Sequence, residues 1–384
     1  MGDVLGDWRD CGPEGRRFEG VRARAGENTA NMKISPQDVL QALTTVRDPD
    51  LNRDIVSLGF IKELEVTDSR VSFTLQLTTP ACPVREQLAA HAKEAVQALG
   101  VPDVQVRLTS QVMAAHRPKQ ELLPQVKNTV AVASGKGGVG KSTVAANLAV
   151  ALERAGARVG LMDTDVYGPS IPALMGSNHQ PRVVEGKLEP PVAYGIKIIS
   201  MGYFLPKNEA IIWRGPMLHK TMQQFLGEVR WGELDYLIMD LPPGTGDIQL
   251  SLSQTIPLTG AVIVSTPQDL ALDVASKAIT MFEKLRVPIL GLIENMSYYL
   301  CPQCGHREEI FGHGGAREAA RKLGYPFLGE IPLDPAICTQ SDGGKPVASD
   351  ATTSYGKAFR EVAGALAAQI SKVHAQAPEN IKLE

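Results

Sequence analysis

The sequence predicts an α/β protein: a mainly parallel sheet with helices on both faces, preceded by a small α+β domain. From residue 128 onward, short apolar runs alternate with helical patterns, which is typical of βαβ units and a parallel sheet. A glycine-rich loop at 134–143 follows a β-branched run and precedes a strong helix-forming segment. Residues 33–110 carry a separate set of strands and helices, which predicts the small domain.

The composition is that of an ordinary globular protein. The chain has 384 residues, 43% hydrophobic and 21% charged, which is enough for one large or two unequal domains. A net charge of −3 argues against nucleic-acid binding by bulk electrostatics. We expect no membrane span, since no apolar run approaches the ~20 residues that one needs. Five scattered cysteines indicate a reduced, cytoplasmic location rather than a disulfide framework.

The chain divides into five predicted segments. Residues 1–31 lack apolar periodicity and a signal-peptide core, so we expect a disordered N-terminal extension. The small domain at 33–110 is followed by a linker at 111–127, the main domain at 128–372 and a tail at 373–384.

The small domain has its own start and strand signals. Ser35 followed by Pro36 is typical of a helix N-terminus, and 71–77 alternates with the period of a half-buried strand. Cys82 lies just before the next predicted helix, where the helix dipole would stabilise its thiolate. The alternative is a small apolar residue that fills a turn.

The main domain is predicted to contain seven strands and a long C-terminal helix at 355–373. The helix after the glycine-rich loop covers 144–155. The predicted strands are 129–133, 158–162, 196–200, 234–240, 261–265, 289–293 and 326–331.

The glycine-rich loop fits the phosphate-binding pattern G-x-x-x-x-G-K-[ST] at 135–142. It also fits the dinucleotide pattern G-x-G-x-x-G, with Asp163 near the expected acidic position. Lys141 and Ser142 favour a nucleoside triphosphate, because a dinucleotide loop needs neither an ammonium for the phosphates nor a hydroxyl for Mg²⁺. The candidate nucleotide-binding residues here are Gly135, Lys136, Gly137, Gly138, Val139, Gly140, Lys141, Ser142 and Thr143.

Polar residues at the ends of other strands complete the predicted site, because ligands bind beyond the carboxyl ends of such strands. Asp240 ends an apolar strand and is a candidate Mg²⁺ ligand. Gly244, in the turn that follows, would let a backbone N–H approach the γ-phosphate. Asp163 and Asp165 follow strand 158–162. No N-K-x-D guanine signature follows a late strand, so ATP is favoured over GTP.

Cys301 and Cys304 form a C-x-x-C pair after a late strand. Two thiolates at this spacing supply half of a four-thiolate metal or cluster site. Two copies of the chain around a two-fold axis would complete it. A zinc knuckle with His306 and His313, a redox pair and an inert pair remain open. Cys338 has no spacing partner, and we expect it in the core.

Several motifs together resemble one family. The loop K-G-G-V-G-K-S-T resembles the deviant Walker A loop of MinD/ParA-type ATPases, nitrogenase iron protein and the Mrp/NBP35 (ApbC-type) iron–sulfur cluster carriers. The motifs at 163–170, 213–217, 240–247 and 301–304 occur in the order seen in these carriers, a resemblance that covers roughly 33–372. The small domain resembles the MIP18-like domain of iron–sulfur assembly proteins.

The resemblance implies roles for individual residues in an ATP-hydrolysing homodimer. Lys136 would reach the nucleotide of the partner subunit. Lys141 would bind phosphate, and Ser142 and Asp240 would hold Mg²⁺. Asp165 would orient the attacking water, with Asp163 an indirect partner of the metal and Asn295 on the adenine ring.

The resemblance also implies a cargo. Cys301 and Cys304 would bind an iron–sulfur cluster, of the 4Fe–4S type, that bridges two subunits. The chain would exchange clusters with assembly scaffolds and apo iron–sulfur client proteins in the cytoplasm, without nucleic-acid or membrane partners.

Two other functions fit the same loop. A MinD/ParA-like positioning ATPase would use an amphipathic C-terminal helix on a membrane, but lysines and arginines are sparse in 355–373, which favours packing of this helix on the sheet. A nitrogenase-type electron donor would also carry a cluster between subunits.

Overall fold

The computed structural model describes residues 34–67, 69–114, 122–166, 168–204, 215–244 and 247–376. Several sequence predictions fall outside the described residues: the extension at 1–31, the linker residues 115–121 and the tail residues 377–384. Three of the quoted motifs also have positions outside them, namely 167, 213–214 and 245–246.

The small domain packs two helices on a three-stranded sheet. Ser35 caps the first helix through a reciprocal capping box with Asp38, so the predicted start is confirmed. β3 pairs antiparallel with β4, and β4 pairs parallel with β5. The elements are α1 (Pro36–Leu43), β1 (Arg47–Asp48), β2 (Arg53–Asp54), β3 (Ile61–Val66), β4 (Arg70–Leu77), α2 (Arg85–Gln97) and β5 (Asp103–Ser110).

The main domain is built on an eight-stranded sheet in the order β10-β11-β7-β12-β6-β13-β14-β17. Every pairing in this sheet is parallel except β10 with β11, so the predicted fold class is confirmed. Its strands are β6 (Val126–Ala133), β7 (Val159–Asp163), β10 (Val192–Ala193), β11 (Ile196–Ser200), β12 (Leu234–Asp240), β13 (Gly260–Ser265), β14 (Ile289–Glu294) and β17 (Phe327–Glu330).

Helices and small hairpins surround this sheet. Two hairpins lie outside it, β8 (Arg182–Val184) with β9 (Lys187–Glu189) and β15 (Tyr299–Leu300) with β16 (Arg307–Glu308). The helices are α3 (Lys141–Arg154), α4 (Ile171–Leu174), α5 (Gly215–Gly227), α6 (Asp247–Thr255), α7 (Asp269–Lys284), α8 (Gly315–Leu323), α9 (Pro335–Asp342) and α10 (Ser354–Gln376).

Apolar layers cover both faces of the sheet. α3 and α10 pack on one face, while α5, α7 and α8 pack on the other. The predicted apolar stripe of α10 is buried in the first layer, with Phe359, Val362, Leu366 and Ile370 at most 1% exposed. Among the described residues, no helix combines the length and the apolar character that crossing a bilayer requires.

The small domain lies beside the carboxyl end of α3, where Cys82, Ala151 and Arg154 line one cavity. The Tyr236 hydroxyl lies 3.1 Å from Thr79 Oγ1, and Lys372 Nζ lies 3.2 Å from Asp50 Oδ1. The glycine-rich loop precedes the other end of α3, and a 14-residue helix is about 21 Å long. The small domain and the loop therefore lie at opposite ends of this helix.

Candidate functional site

The glycine-rich loop joins β6 to α3, the context that its motif requires. Gly138 and Gly140 have φ angles of +80° and +78°, a left-handed conformation that glycine adopts without steric cost. Gly140 is the N-cap of α3, so the loop ends at a helix N-terminus, where backbone N–H groups and the helix dipole favour an anion.

Asn295 lies against this loop. Its Nδ2 donates a hydrogen bond of 2.8 Å to the Val139 carbonyl, and the side chain is 6% exposed. A Cβ on Gly140 would lie 2.3 Å from the same nitrogen and would displace the Asn295 amide, so packing as well as φ favours glycine here. Asn295, expected on the adenine ring, is thus held by the phosphate loop in this structure.

Lys141 and Asp240 form a buried ion pair at the start of α3. Lys141 Nζ lies 2.5 Å from Asp240 Oδ1 and 3.2 Å from Ser142 Oγ. The side chains of Lys141 and Asp240 are 6% and 0% exposed. The structure therefore brings together the predicted phosphate ligand and both predicted Mg²⁺ ligands.

The second carboxylate oxygen of Asp240 fits a cation. Oδ2 is buried and has no hydrogen-bond partner among the described residues. A buried carboxylate oxygen without a partner is costly, and Mg²⁺ prefers such oxygen ligands. The donor set at this strand end therefore fits Mg²⁺.

Asp163 and Asp165 lie at the end of the neighbouring strand β7. Asp163 is fully buried, and its two oxygens accept hydrogen bonds from Asp165 N, Ile171 N and Ser200 Oγ. Burial, with Asp240 nearby, raises the pKa of Asp163 to about 7. Asp163 thus organises the turn that carries Asp165, whose Oδ1 accepts a hydrogen bond of 3.2 Å from Gly168 N.

Gly244 has a partner within the protein. Its φ angle is +95°, and its N–H donates a hydrogen bond of 2.9 Å to the Ser134 carbonyl. The expected contact with a γ-phosphate would require this hydrogen bond to be exchanged.

Lys136, the additional lysine of the loop, also contacts its own chain. Its Nζ lies 3.3 Å from Gln268 Oε1, at the N-cap of α7. Sequence reasoning did not identify Gln268, because nothing in its local pattern links it to a loop more than 130 residues away.

Cys301 and Cys304 lie in the loop of the β15–β16 hairpin. Cys301 N donates to the His306 carbonyl and Gly305 N donates to the Cys301 carbonyl, which closes a tight loop around the two cysteines. Backbone N–H groups of Cys304 and Gln303 that point at the Cys301 sulfur lower the pKa of that thiol. A lowered pKa favours the thiolate, which is the form that binds metal.

The cysteine pair has no third ligand among the described residues. No three potential ligand atoms within 4.8 Å of one another include either sulfur. His306 Nε2 lies 3.3 Å from Glu308 Oε2, and His313 Nδ1 lies 3.1 Å from an Arg307 guanidinium nitrogen. The histidines of the zinc-knuckle alternative therefore have other partners. A complete four-ligand site would need groups from another molecule.

Glu294, His313 and Glu330 do bring their ligand atoms within 4.8 Å of one another. However, Arg307 and Arg317 both contact Glu330, at 3.1 and 2.7 Å. Guanidinium groups at these distances occupy the carboxylate, so this cluster is an ion-pair network rather than a metal site.

Glu294 is a buried residue whose role sequence reasoning missed. Its carboxylate is 0% exposed and accepts hydrogen bonds from Ser297, Gly314 and Ala316. The available signal was the one used for Asp240, a carboxylate at the end of a fully apolar strand.

Of the other described cysteines, Cys82 agrees with one of its two alternatives and Cys338 differs from expectation. Cys82 lies beside a cavity of about 480 Å³ between the small domain and α3 and α10. Burial raises the pKa of its thiol to about 11, which outweighs the Val84 N–H and favours the alternative of a small apolar residue in the turn. Cys338, expected in the core, is exposed on α9, because only one face of this short helix is covered.

The chain matches two family models. One, described as NUBPL iron-transfer P-loop NTPase, covers residues 125–367. This chain belongs to the iron-transfer P-loop NTPase family. The second, described as iron–sulfur cluster assembly protein, covers residues 36–108, within the small domain.

Relatives at high identity support this assignment. A protein named iron–sulfur cluster carrier protein from Deinococcus radiodurans is 50% identical over 349 residues, which are 89% of this chain and 98% of the relative. A protein of the same name from Escherichia coli K12 is 41% identical, over 86% of this chain and 91% of its own. The resemblance read from the sequence motifs is confirmed.

A solved structure that is similar to this chain contains a nucleotide. It is a nucleotide-binding protein from Archaeoglobus fulgidus in complex with ADP, 46% identical, with a TM-score of 0.54. The match covers 59% of this chain and 90% of the archaeal chain.

Proposed function

We propose that this protein is an ATP-dependent iron–sulfur cluster carrier that binds its cluster between two subunits and transfers it to apoproteins. The observation that carries the proposal is the Cys301–Cys304 pair: one thiol has a lowered pKa, and no third ligand lies near either sulfur among the described residues. Relatives up to 50% identical are named iron–sulfur cluster carrier proteins, which supports the same cargo.

The cluster is the cargo of the reaction. Two pairs of Cys301 and Cys304, related by a two-fold axis, would supply the four thiolates that a 4Fe–4S cluster takes. A C2 homodimer is the simplest assembly that gives this set. In such a dimer, Lys136 would exchange its contact with Gln268 for the nucleotide of the partner subunit.

Nucleotide would bind at the N-terminus of α3. Lys141 would exchange Asp240 for phosphate oxygens, and the carboxylate would then hold Mg²⁺ together with the Ser142 hydroxyl. The metal supplies charge neutralisation on the phosphates when it is bound. Asp165 would orient the attacking water, and Asp163 would fix the turn that carries it. Asn295 would contact adenine through its amide oxygen, while its Nδ2 keeps the hydrogen bond to the Val139 carbonyl.

ATP would act on geometry rather than on redox chemistry. Binding and hydrolysis would favour different dimer arrangements, and hence different affinities for the cluster. The partners would be assembly scaffolds that supply clusters and apo iron–sulfur proteins that accept them, in the reducing cytoplasm that scattered free cysteines suit. A positioning ATPase that uses α10 on a membrane is not favoured, because the apolar stripe of α10 is buried in the sheet layer.

Anaerobic reconstitution tests the proposal. We expect wild-type protein to take up iron and sulfide and to become dimeric, as measured by metal analysis, absorbance and light scattering. Cys301→Ala/Cys304→Ala should take up none, while Cys338→Ala, at an exposed cysteine elsewhere, should match wild type. Equal cluster content in the double variant, or zinc in place of iron, would exclude the proposed cargo site.

A further inference from the structure

Glu294 joins the two ends of the segment 297–314, which carries the cysteines. Its Oε1 accepts hydrogen bonds from Ser297 Oγ at 2.6 Å and from Gly314 N at 3.0 Å. Its Oε2 accepts one from Ala316 N at 2.7 Å. Ser297 and Gly314 stand on either side of the hairpin 299–308, so one fully buried carboxylate holds both ends of this segment.

The next residue along the chain holds the phosphate loop. Asn295 Nδ2 donates to the Val139 carbonyl, and Asn295 N donates to the Ser265 carbonyl. Met296 then has a φ angle of +56°, an uncommon conformation for a residue other than glycine. Such strain persists only where the surroundings fix it, and it recurs at sites that switch. The tip of β14 therefore contacts the phosphate loop and the two ends of the cysteine segment through adjacent residues.

A second contact joins the same two regions. A Cβ on Gly315 would lie 2.3 Å from the Pro267 carbonyl oxygen, so the start of α8 packs directly on the backbone before α7. Gln268, the next residue, accepts the hydrogen bond from Lys136. The segment that Glu294 closes thus meets the phosphate loop by two routes.

We propose that Glu294 is a positioning residue that transmits movement of the phosphate loop to Cys301 and Cys304. This inference rests on the proposed function, in that it takes the two cysteines as the site that responds to nucleotide. A change at Val139 that shifts Asn295 also shifts Glu294 and, through its three hydrogen bonds, both ends of the cysteine segment. Coupling between sites is carried by such contiguous bonded and packed elements.

The test uses Glu294→Gln, which keeps the side-chain volume and replaces one acceptor oxygen by an amide that donates. Glu309→Gln is the matched control, because Glu309 lies in the same segment, is about half exposed and pairs with His313 at 3.8 Å rather than joining the two ends of the segment. The measured quantity is the rate at which iodoacetamide alkylates Cys301 and Cys304 in the cluster-free, full-length protein. Each variant is compared with Mg²⁺–AMP-PNP and with Mg²⁺–ADP.

In wild type and in Glu309→Gln, we expect the two nucleotides to give alkylation rates that differ about fivefold, the low end of ordinary coupling between sites. In Glu294→Gln, the difference should fall below about twofold while both nucleotides still bind, as measured by calorimetry. A full wild-type difference in Glu294→Gln overturns the inference, as does the absence of any difference in wild type.

Ser297→Ala covers the case in which Glu294→Gln does not fold. It removes only one of the three hydrogen bonds, and the nucleotide-dependent difference should then lie between wild type and no effect. An unchanged difference in Ser297→Ala overturns the inference. Because alkylation is measured without a cluster, a wild-type protein that fails to take up iron but shows the nucleotide effect contradicts the carrier function and not this coupling.

Discussion

Lys141 Nζ lies 2.5 Å from Asp240 Oδ1, and both side chains are almost fully buried. The cation that the motif assigns to phosphate and the carboxylate that it assigns to Mg²⁺ therefore neutralise each other. Nucleotide and metal binding would replace one buried ion pair by two new ones, so the site keeps its charges compensated throughout.

Breaking this ion pair should destabilise the fold. Lys141→Met leaves Asp240 as an uncompensated buried charge, which costs about 3–5 kcal/mol of the free energy of unfolding. Urea denaturation measures the loss. Lys141→Met/Asp240→Asn, which removes both charges, should recover part of it. If the double variant loses as much stability as the two single variants added together, the two residues are not energetically coupled.

A side chain at Gly140 should lower the stability of the fold. Gly140→Ala places a Cβ 2.3 Å from Asn295 Nδ2 at a φ angle of +78°, so we expect a loss of about 1–3 kcal/mol in the free energy of unfolding. Gly137→Ala is the matched control, since its Cβ meets nothing within 4 Å, and its stability should stay within about 0.5 kcal/mol of wild type. Equal stability of the two variants would contradict the packing of Asn295 on the loop.

Cys82 and Cys301 should differ in the pH at which they are alkylated. Below pH 9, Cys82 should be alkylated at least about tenfold more slowly than an ordinary thiol, because burial raises its pKa to about 11 and leaves little thiolate. Cys301, whose pKa is lowered, should react at lower pH. Peptide mass spectrometry at each pH measures both rates.

The raised pKa of Cys82 also makes stability depend on pH. The folded chain holds the Cys82 proton more tightly than the unfolded chain does. The protonated thiol therefore contributes to the free energy of unfolding below pH 9, and this contribution is lost as the pH rises through about 11. A Cys82→Ala variant should lack this part of the alkaline decline. A Cys82 that reacts at neutral pH as fast as Cys301 would show that the thiol is not buried as described.

Contact between the domains should control access to Cys82. A Cβ on Gly364 of α10 would lie 3.1 Å from the Ala81 carbonyl oxygen, so Gly364→Val should push the small domain away at this point. We expect faster alkylation of Cys82, while the exposed Cys338 in the same molecules serves as the reference. An unchanged ratio of the two rates would mean that this contact does not protect the thiol.

Sequence patterns predicted the features that are local. The phosphate loop, the strand that ends at Asp240 and the cysteine pair each follow from residues that are close along the chain. Their structural context agrees with the prediction, because apolar periodicity fixes which strand ends meet at one edge of a parallel sheet.

Features that depend on distant contacts could not be predicted. Gln268 meets Lys136 only through the order of the strands, and Gly244 donates to Ser134 across two strand ends. The thiol of Cys82 was expected to respond to its own helix, but the docking of α3 and α10 decides its burial. Sequence motifs name candidates, whereas the packing between elements determines their ionisation and partners.

The placement of the small domain at the far end of α3 has an evolutionary consequence. It touches neither the glycine-rich loop nor the cysteine hairpin through the contacts described above, so a lineage can acquire, exchange or discard it without rebuilding the phosphate chemistry.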